Sequence, residues 1–131
     1  MRNLLTGCDD IHWLTELKGP LGIALNAEGT IAVSDFYGHS VYVFDSEGTF
    51  LRKIGQFKQP VDAVFVNDEE ILVSDHGDHR IYQYNTRSGL FIKEFGKPGT
   101  GKGKLKNPLR LSMDDKEQIV VSDYNNNRIQ V

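Results

Sequence analysis

Gly96-Lys-Pro-Gly-Thr-Gly-Lys102 has the Gly-x-x-x-x-Gly-Lys spacing of a loop that cradles phosphate, and it follows a strand-like apolar run as such a loop does. Phosphate chemistry needs more than that spacing. The loop should pass through Ser or Thr into a helix whose free amides and dipole hold the anion. Here Gly103 follows instead, and Lys104-Leu-Lys-Asn-Pro108 leads into another strand, so the segment reads as a glycine-rich connecting loop. Four histidines and the recurring Asp35, Asp75 and Asp123 are metal-ligating types. His39 and His79, however, occupy one repeating position that Asn127 fills in a third copy, while His12 and His76 stand elsewhere. That pattern belongs to turn chemistry, and neither a metal nor a cofactor is expected. The three aspartates end strands, where a short carboxylate accepts hydrogen bonds from the following turn's amides, so they are read as structural turn caps. No Gly-x-Ser-x-Gly, His-Glu-x-x-His or Cys-x-x-Cys run occurs, and no carboxylate pair stands apart from the repeat, so no catalytic residue is assigned.

The remaining chemistry is cationic. Lys93, Lys97, Lys102, Lys104, Lys106 and Arg110 are opposed locally only by Glu94. Residues 97–131 hold seven Lys/Arg against four acids, a balance of +3, which leaves −6 for residues 1–96 out of a total of −3. The overall charge gives no general reason to expect nucleic acid or an anionic membrane; its placement does single out this stretch.

The elements that must position these residues are written as one unit in three copies. Pro20, Pro60 and Pro108 are each followed eleven residues later by Ile31, Ile71 and Ile119, then by Val33-Ser34-Asp35, Val73-Ser74-Asp75 and Val121-Ser122-Asp123. A short polar turn follows each Asp, and a second apolar stretch opens with Val41, Ile81 or Ile129. The period is that of strands bounded by Gly, Asn, Asp and Pro, with no helical periodicity. The first unit predicts strands over 21–26, 30–34, 40–45 and 49–54, and the second over 61–66, 70–74, 80–85 and 90–95. Four short antiparallel strands in roughly 40 to 45 residues make a propeller blade. The expected fold is all-β, a partial β-propeller of four-stranded antiparallel blades with about three blades' worth of strands.

Composition fits a folded chain: 131 residues, 39% hydrophobic and 25% charged. The one cysteine, Cys8, cannot form an internal disulfide, which points to a reducing compartment and a cytoplasmic location. No apolar run approaches a membrane span, so no membrane partner is expected.

Asp75-His-Gly-Asp-His-Arg-Ile-Tyr-Gln-Tyr84 and Asp123-Tyr-Asn-Asn-Asn-Arg-Ile-Gln-Val131 resemble the NHL repeat, whose typical run is Asp-x-x-Asn-His-Arg-Ile-Gln-Val-Phe. The first unit departs from it, with Gly38 in the Asn position and Ser40 in the Arg position, but keeps His39. The resemblance spans about residues 11–131, and the spacer from Phe95 to Pro108 is similar to those of metazoan tripartite-motif (TRIM-NHL) proteins. The expected organisation is an N-terminal lead with the outer strand of a preceding blade over 1–19, blades over 20–55 and 56–107, the second with its basic inter-blade loop at 96–107, and an incomplete blade over 108–131. Twelve strands are half of the six blades usual for NHL propellers. The missing half is expected either as remaining blades of a longer chain or as a homodimer, each copy adding an outer strand to the other's incomplete blade.

In a four-stranded blade the loop from strand two to three and the loop to the next blade emerge on one face. The resemblance implies a non-catalytic module that recognises single-stranded RNA or a protein through that face, within a ubiquitin-ligase or regulatory protein. The candidate binding residues are Arg80, Lys97, Lys102, Lys104, Lys106, Arg110, Tyr124, Asn126 and Arg128, which offer phosphate contacts, stacking and base-edge hydrogen bonds. The alternatives are a metal-dependent propeller enzyme of the amidating-lyase or lactonase kind, and a purely structural half-ring.

Overall fold

The computed structural model describes residues 17–131, so the N-terminal lead and outer strand expected over 1–19 fall, but for residues 17–19, outside them. Eleven strands form three antiparallel sheets among the described residues. The first holds β1 (Pro20–Leu25), β2 (Ile31–Asp35), β3 (Ser40–Phe44) and β4 (Phe50–Ile54), paired in chain order. The second repeats it with β5 (Pro60–Phe65), β6 (Glu70–Asp75), β7 (Arg80–Asn85) and β8 (Phe91–Phe95). The third contains β9 (Pro108–Met113), β10 (Ile119–Asp123) and β11 (Arg128–Gln130), with one 3₁₀ turn at Tyr124–Asn126. Each strand of the first two sheets lies within one residue of its expected bounds, because the apolar alternation and the flanking turn residues both fix it.

Sheet faces are buried against one another, so the core lies between blades. Along β6, Ile71 and Val73 pack with Ala24, Ala32, Val41 and Val43 of the first blade, while the intervening Leu72 packs with Ile81, Leu105, Leu111 and Val121 toward the third. Side chains alternate across a strand, so a strand covered on both faces must be apolar throughout, as Ile71-Leu-Val73 is. The outer face of β1 leaves Leu21, Ile23 and Leu25 more than half exposed.

The blades are also joined by a hydrogen bond repeated at the same step. The inner strands carry a register shift just after their first Pro, between Pro60 and Asp62 in β5. Ser34 Oγ donates to the carbonyl of Val61 inside that shift at 2.7 Å, and Ser74 Oγ donates to the carbonyl of Leu109 in the next blade at 2.7 Å. The same two hydroxyls accept the amides of Gly22 and Asp62 from their own blades. A single buried serine thus satisfies one main-chain group in each of two neighbouring blades.

Candidate functional site

The recurring aspartates set the loop face. Asp35, Asp75 and Asp123 are all fully buried. Asp75 accepts the amides of Lys58 and Gln59 at 2.9 Å each, Asp35 those of Lys18 and Gly19, and Asp123 that of Lys106 at 2.7 Å. These donors lie sixteen or seventeen residues earlier in the chain, on the segment entering the same blade. Of the main-chain amides in the following turns, that of Asp78 reaches Asp75 at 3.2 Å, and the side chain of Asn126 reaches Asp123 at 2.9 Å. Each carboxylate therefore ties the incoming loop to the end of β2, β6 or β10, and at Asp35 and Asp75 the turn-cap role is the smaller part of what it does.

The histidine position of the repeat is conformational. His39, His79 and Asn127 share left-handed backbone, with φ of 59°, 57° and 52°. His39 Nδ1 meets the Lys58 carbonyl at 2.7 Å, and His79 Nδ1 accepts the amide of Asn107 at 2.9 Å, so both rings hold the inter-blade loop. Asn107 also donates to the His76 carbonyl and accepts from Asn125, which links the turns of the second and third blades. No three His, Cys, Asp or Glu side chains converge as a metal site requires among the described residues.

The glycine-rich loop is pinned rather than loose. Leu105 is buried among Leu72 and Ile81, and its amide and carbonyl bond Lys97 and Gly99 across the loop. From the other side three residues of the last blade converge on its carbonyls. Arg128 donates to Thr100 O at 2.9 Å and to Gly101 O and Lys104 O at 2.7 Å each, while its Nε meets Asp123 Oδ2 at 2.8 Å. Asn126 donates to Gly99 O and to Asp123 at 2.9 Å. Gln130 donates to Lys104 O and accepts the amide of Gly103. Burial would raise the Asp123 carboxyl, but the bonds from Asn126, the Lys106 amide, Arg128 and Gln130 outweigh it and hold the group below the usual carboxylate range.

The candidate binding residues accordingly divide. Arg128 and Asn126 turn toward the loop and Asp123, with four of the five guanidinium N–H groups and the Asn126 side-chain N–H groups engaged there, a different placement from the solvent-facing contacts expected of them. Arg80 is engaged by Glu94 at 2.9 Å and by Asp78. Arg110 sits on inner strand β9, its side chain 77% exposed with Nε 3.4 Å from Asp62, and so belongs to the wall formed by the inner strands. Lys97, Lys102, Lys104 and Lys106 are exposed, and none of their ammonium groups makes an ion pair among the described residues. A cleft of about 410 Å³ lies between Arg80, Glu94, Lys97, Lys102 and Lys104. Tyr124 stands beside the loop, 57% exposed, its ring 6.4 Å from that of His76. Gln130, Asn107 and the serines of the Val-Ser-Asp runs were not singled out in the sequence; recurrence of Ser in all three copies was the available signal.

Residues 105–131 match the NHL repeat family. The chain is 31% identical over 111 residues to protein brain tumor of Drosophila melanogaster, an alignment covering 78% of this chain and 10% of that protein. It is 49% identical over 43 residues to E3 ubiquitin-protein ligase TRIM71 of Rattus norvegicus, covering 33% of this chain and 5% of that one. The chain therefore spans a tenth or less of these two relatives. Among solved structures, a virginiamycin B lyase from Staphylococcus aureus with quinupristin superposes with a TM-score of 0.70 at 17% identity, over 89% of this chain and 39% of the lyase. That last likeness is one of fold alone.

Proposed function

Starting from a chain built of NHL-type propeller blades, we propose that it is a non-catalytic recognition module that binds single-stranded RNA through the loop face of its second and third blades. In this reading it serves a regulatory or ubiquitin-ligase protein of the tripartite-motif kind. The observation that carries the proposal is the set of four unpaired lysines, Lys97, Lys102, Lys104 and Lys106, on a loop already fixed by Arg128, Asn126 and Gln130. A loop backbone held in place before binding loses little ordering entropy on contact, and an exposed aromatic beside its cations offers a stacking platform. Tyr124 occupies that position.

The test is fluorescence anisotropy of the full chain with a labelled single-stranded RNA 12-mer at several salt concentrations. Four phosphate contacts correspond to a slope of about −2.8 in log K against log salt, so affinity falls roughly 50-fold between 50 and 200 mM. Combined reversal of Lys102, Lys104 and Lys106 to Glu should abolish binding at the higher salt. Absence of binding at 50 mM salt, or affinity unchanged in the reversed variant, refutes the proposal.

A further inference from the structure

The geometry points to a strip of main-chain amides at Thr100, Gly101 and Lys102 as the contact for the phosphodiester oxygens of the bound strand, an inference that rests on the RNA reading above. The spacing from Gly96 to Lys102 lacks the helix that completes a phosphate loop, yet the loop acquires outward amides by another route. The carbonyls of Gly99, Thr100 and Gly101 are all drawn inward, the first by Asn126 and the other two by Arg128. No peptide bond among the described residues is cis. In a planar trans peptide the N–H points opposite to the C=O that precedes it. The amides of Thr100, Gly101 and Lys102 must therefore face away from the clamp, toward solvent.

They are also unoccupied. The neighbouring amides of Gly99, Lys104 and Leu105 bond carbonyls within the loop, and that of Gly103 bonds Gln130. Those of Thr100, Gly101 and Lys102 donate to no group among the described residues. Three consecutive free donors thus lie along a loop edge flanked by the ammonium groups of Lys102 and Lys104. Backbone amides are ordinary phosphate ligands in nucleic-acid complexes, and they fix register without reading sequence. The positive charge of Arg128 does not take part directly, since Asp123 neutralises it at 2.8 Å. Arg128 is a positioning residue, and its substitution should act on the amides before it acts on charge.

Two-dimensional ¹H–¹⁵N NMR of the full chain, titrated with inorganic phosphate against chloride at constant ionic strength, reads the strip directly. The Thr100, Gly101 and Lys102 amides should shift saturably and more than other exposed amides. Arg128→Lys, which keeps the charge but lacks the planar fork and has three donors for the three carbonyls and Asp123 that Arg128 holds, should weaken that response by about tenfold. It should leave the salt slope of RNA binding unchanged, whereas loss of a direct phosphate contact lowers the slope by about 0.7. Asn126→Ala, which releases only Gly99 O and one bond to Asp123, gives the same readout should the Arg128 variant not fold. Amides that do not shift in the wild type, or that shift as much in Arg128→Lys and Asn126→Ala as in the wild type, overturn the inference. If RNA still binds while these amides stay unmoved, the strip alone is refuted; phosphate shifts without RNA binding uphold the strip and refute the RNA reading.

Discussion

Replacing Asp75 by Asn changes one oxygen for an amide group and removes the charge at a fully buried position. Oδ2 accepts Lys58 N at 2.9 Å; Oδ1 accepts Gln59 N at 2.9 Å and Asp78 N at 3.2 Å. If the new amide group takes the Oδ2 place, two donors face each other at Lys58 and that N–H loses its acceptor. Hydrogen bonds to a charged group contribute about 1.5–3 kcal/mol each, and the two retained bonds weaken once the charge is gone, which gives a loss of about 2–4 kcal/mol. With a urea dependence of about 2 kcal/mol per molar, the unfolding midpoint should fall by roughly 1–2 M. Equilibrium unfolding in urea, followed by circular dichroism on the full chain, measures it. Asp35→Asn, with its three bonds to Lys18 and Gly19, should give a loss of the same size. Were the carboxylate only a cap for the turn that follows it, the single bond from Asp78 would be at stake, about 0.5–1.5 kcal/mol. A midpoint shift of about 0.7 M or less at unchanged slope, the range of a cap alone, would refute the tethering role assigned to these aspartates.

Three further outcomes follow from the same geometry. Folding holds the Asp123 carboxyl below its ordinary value, so its stabilisation is complete above about pH 4 and is lost as pH falls through the lower folded value. Thermal melts from pH 2 to 7 should show the wild type's advantage over Asp123→Asn closing only at the acid end. Ser74→Ala leaves the carbonyl of Leu109 and the amide of Asp62 without their buried partner and should lower stability by about 1–3 kcal/mol in urea unfolding. Gly22→Ala places a Cβ 2.5 Å from the Val61 carbonyl and 2.9 Å from Asp62 Cα, main-chain atoms that cannot swing away, and should lower stability by about 1–3 kcal/mol in the same assay.

Strand positions were legible because two independent local signals agree on them: apolar alternation fixes the interior of β5 or β6, and Pro60, Asn67, Asp75 and Gly89 fix where pairing starts and stops. The bringing together of the 76–80 turn, the 124–128 turn and the 96–107 loop was equally legible, since antiparallel alternation dictates it, and Asn107 bridges all three. Side-chain direction was not. Arg128 has the residue type and neighbourhood of a phosphate contact, but whether its guanidinium faces solvent depends on carbonyls 24 to 28 residues away whose orientation no local pattern encodes. Asp75 shows the same limit, because a strand-end Asp followed by a polar turn looks like a cap while its strongest donors arrive from 16 and 17 residues upstream. Arg80 and Arg128 occupy one repeat position and still differ: the second faces a loop rich in free carbonyls, the first an ion pair with Glu94.

The serine between blades carries a consequence for how such a chain changes over generations. Its acceptor in the next blade is a main-chain carbonyl, that of Val61 in one case and Leu109 in the other, so the joint never consults the neighbour's side chain. A blade keeping Ser before its terminal Asp can therefore be duplicated, diverge or change place while the join is preserved. The loops on the exposed face are tied instead by side chains of particular blades, Asn107, Asn126 and Arg128 among them, so that is where copies are free to specialise.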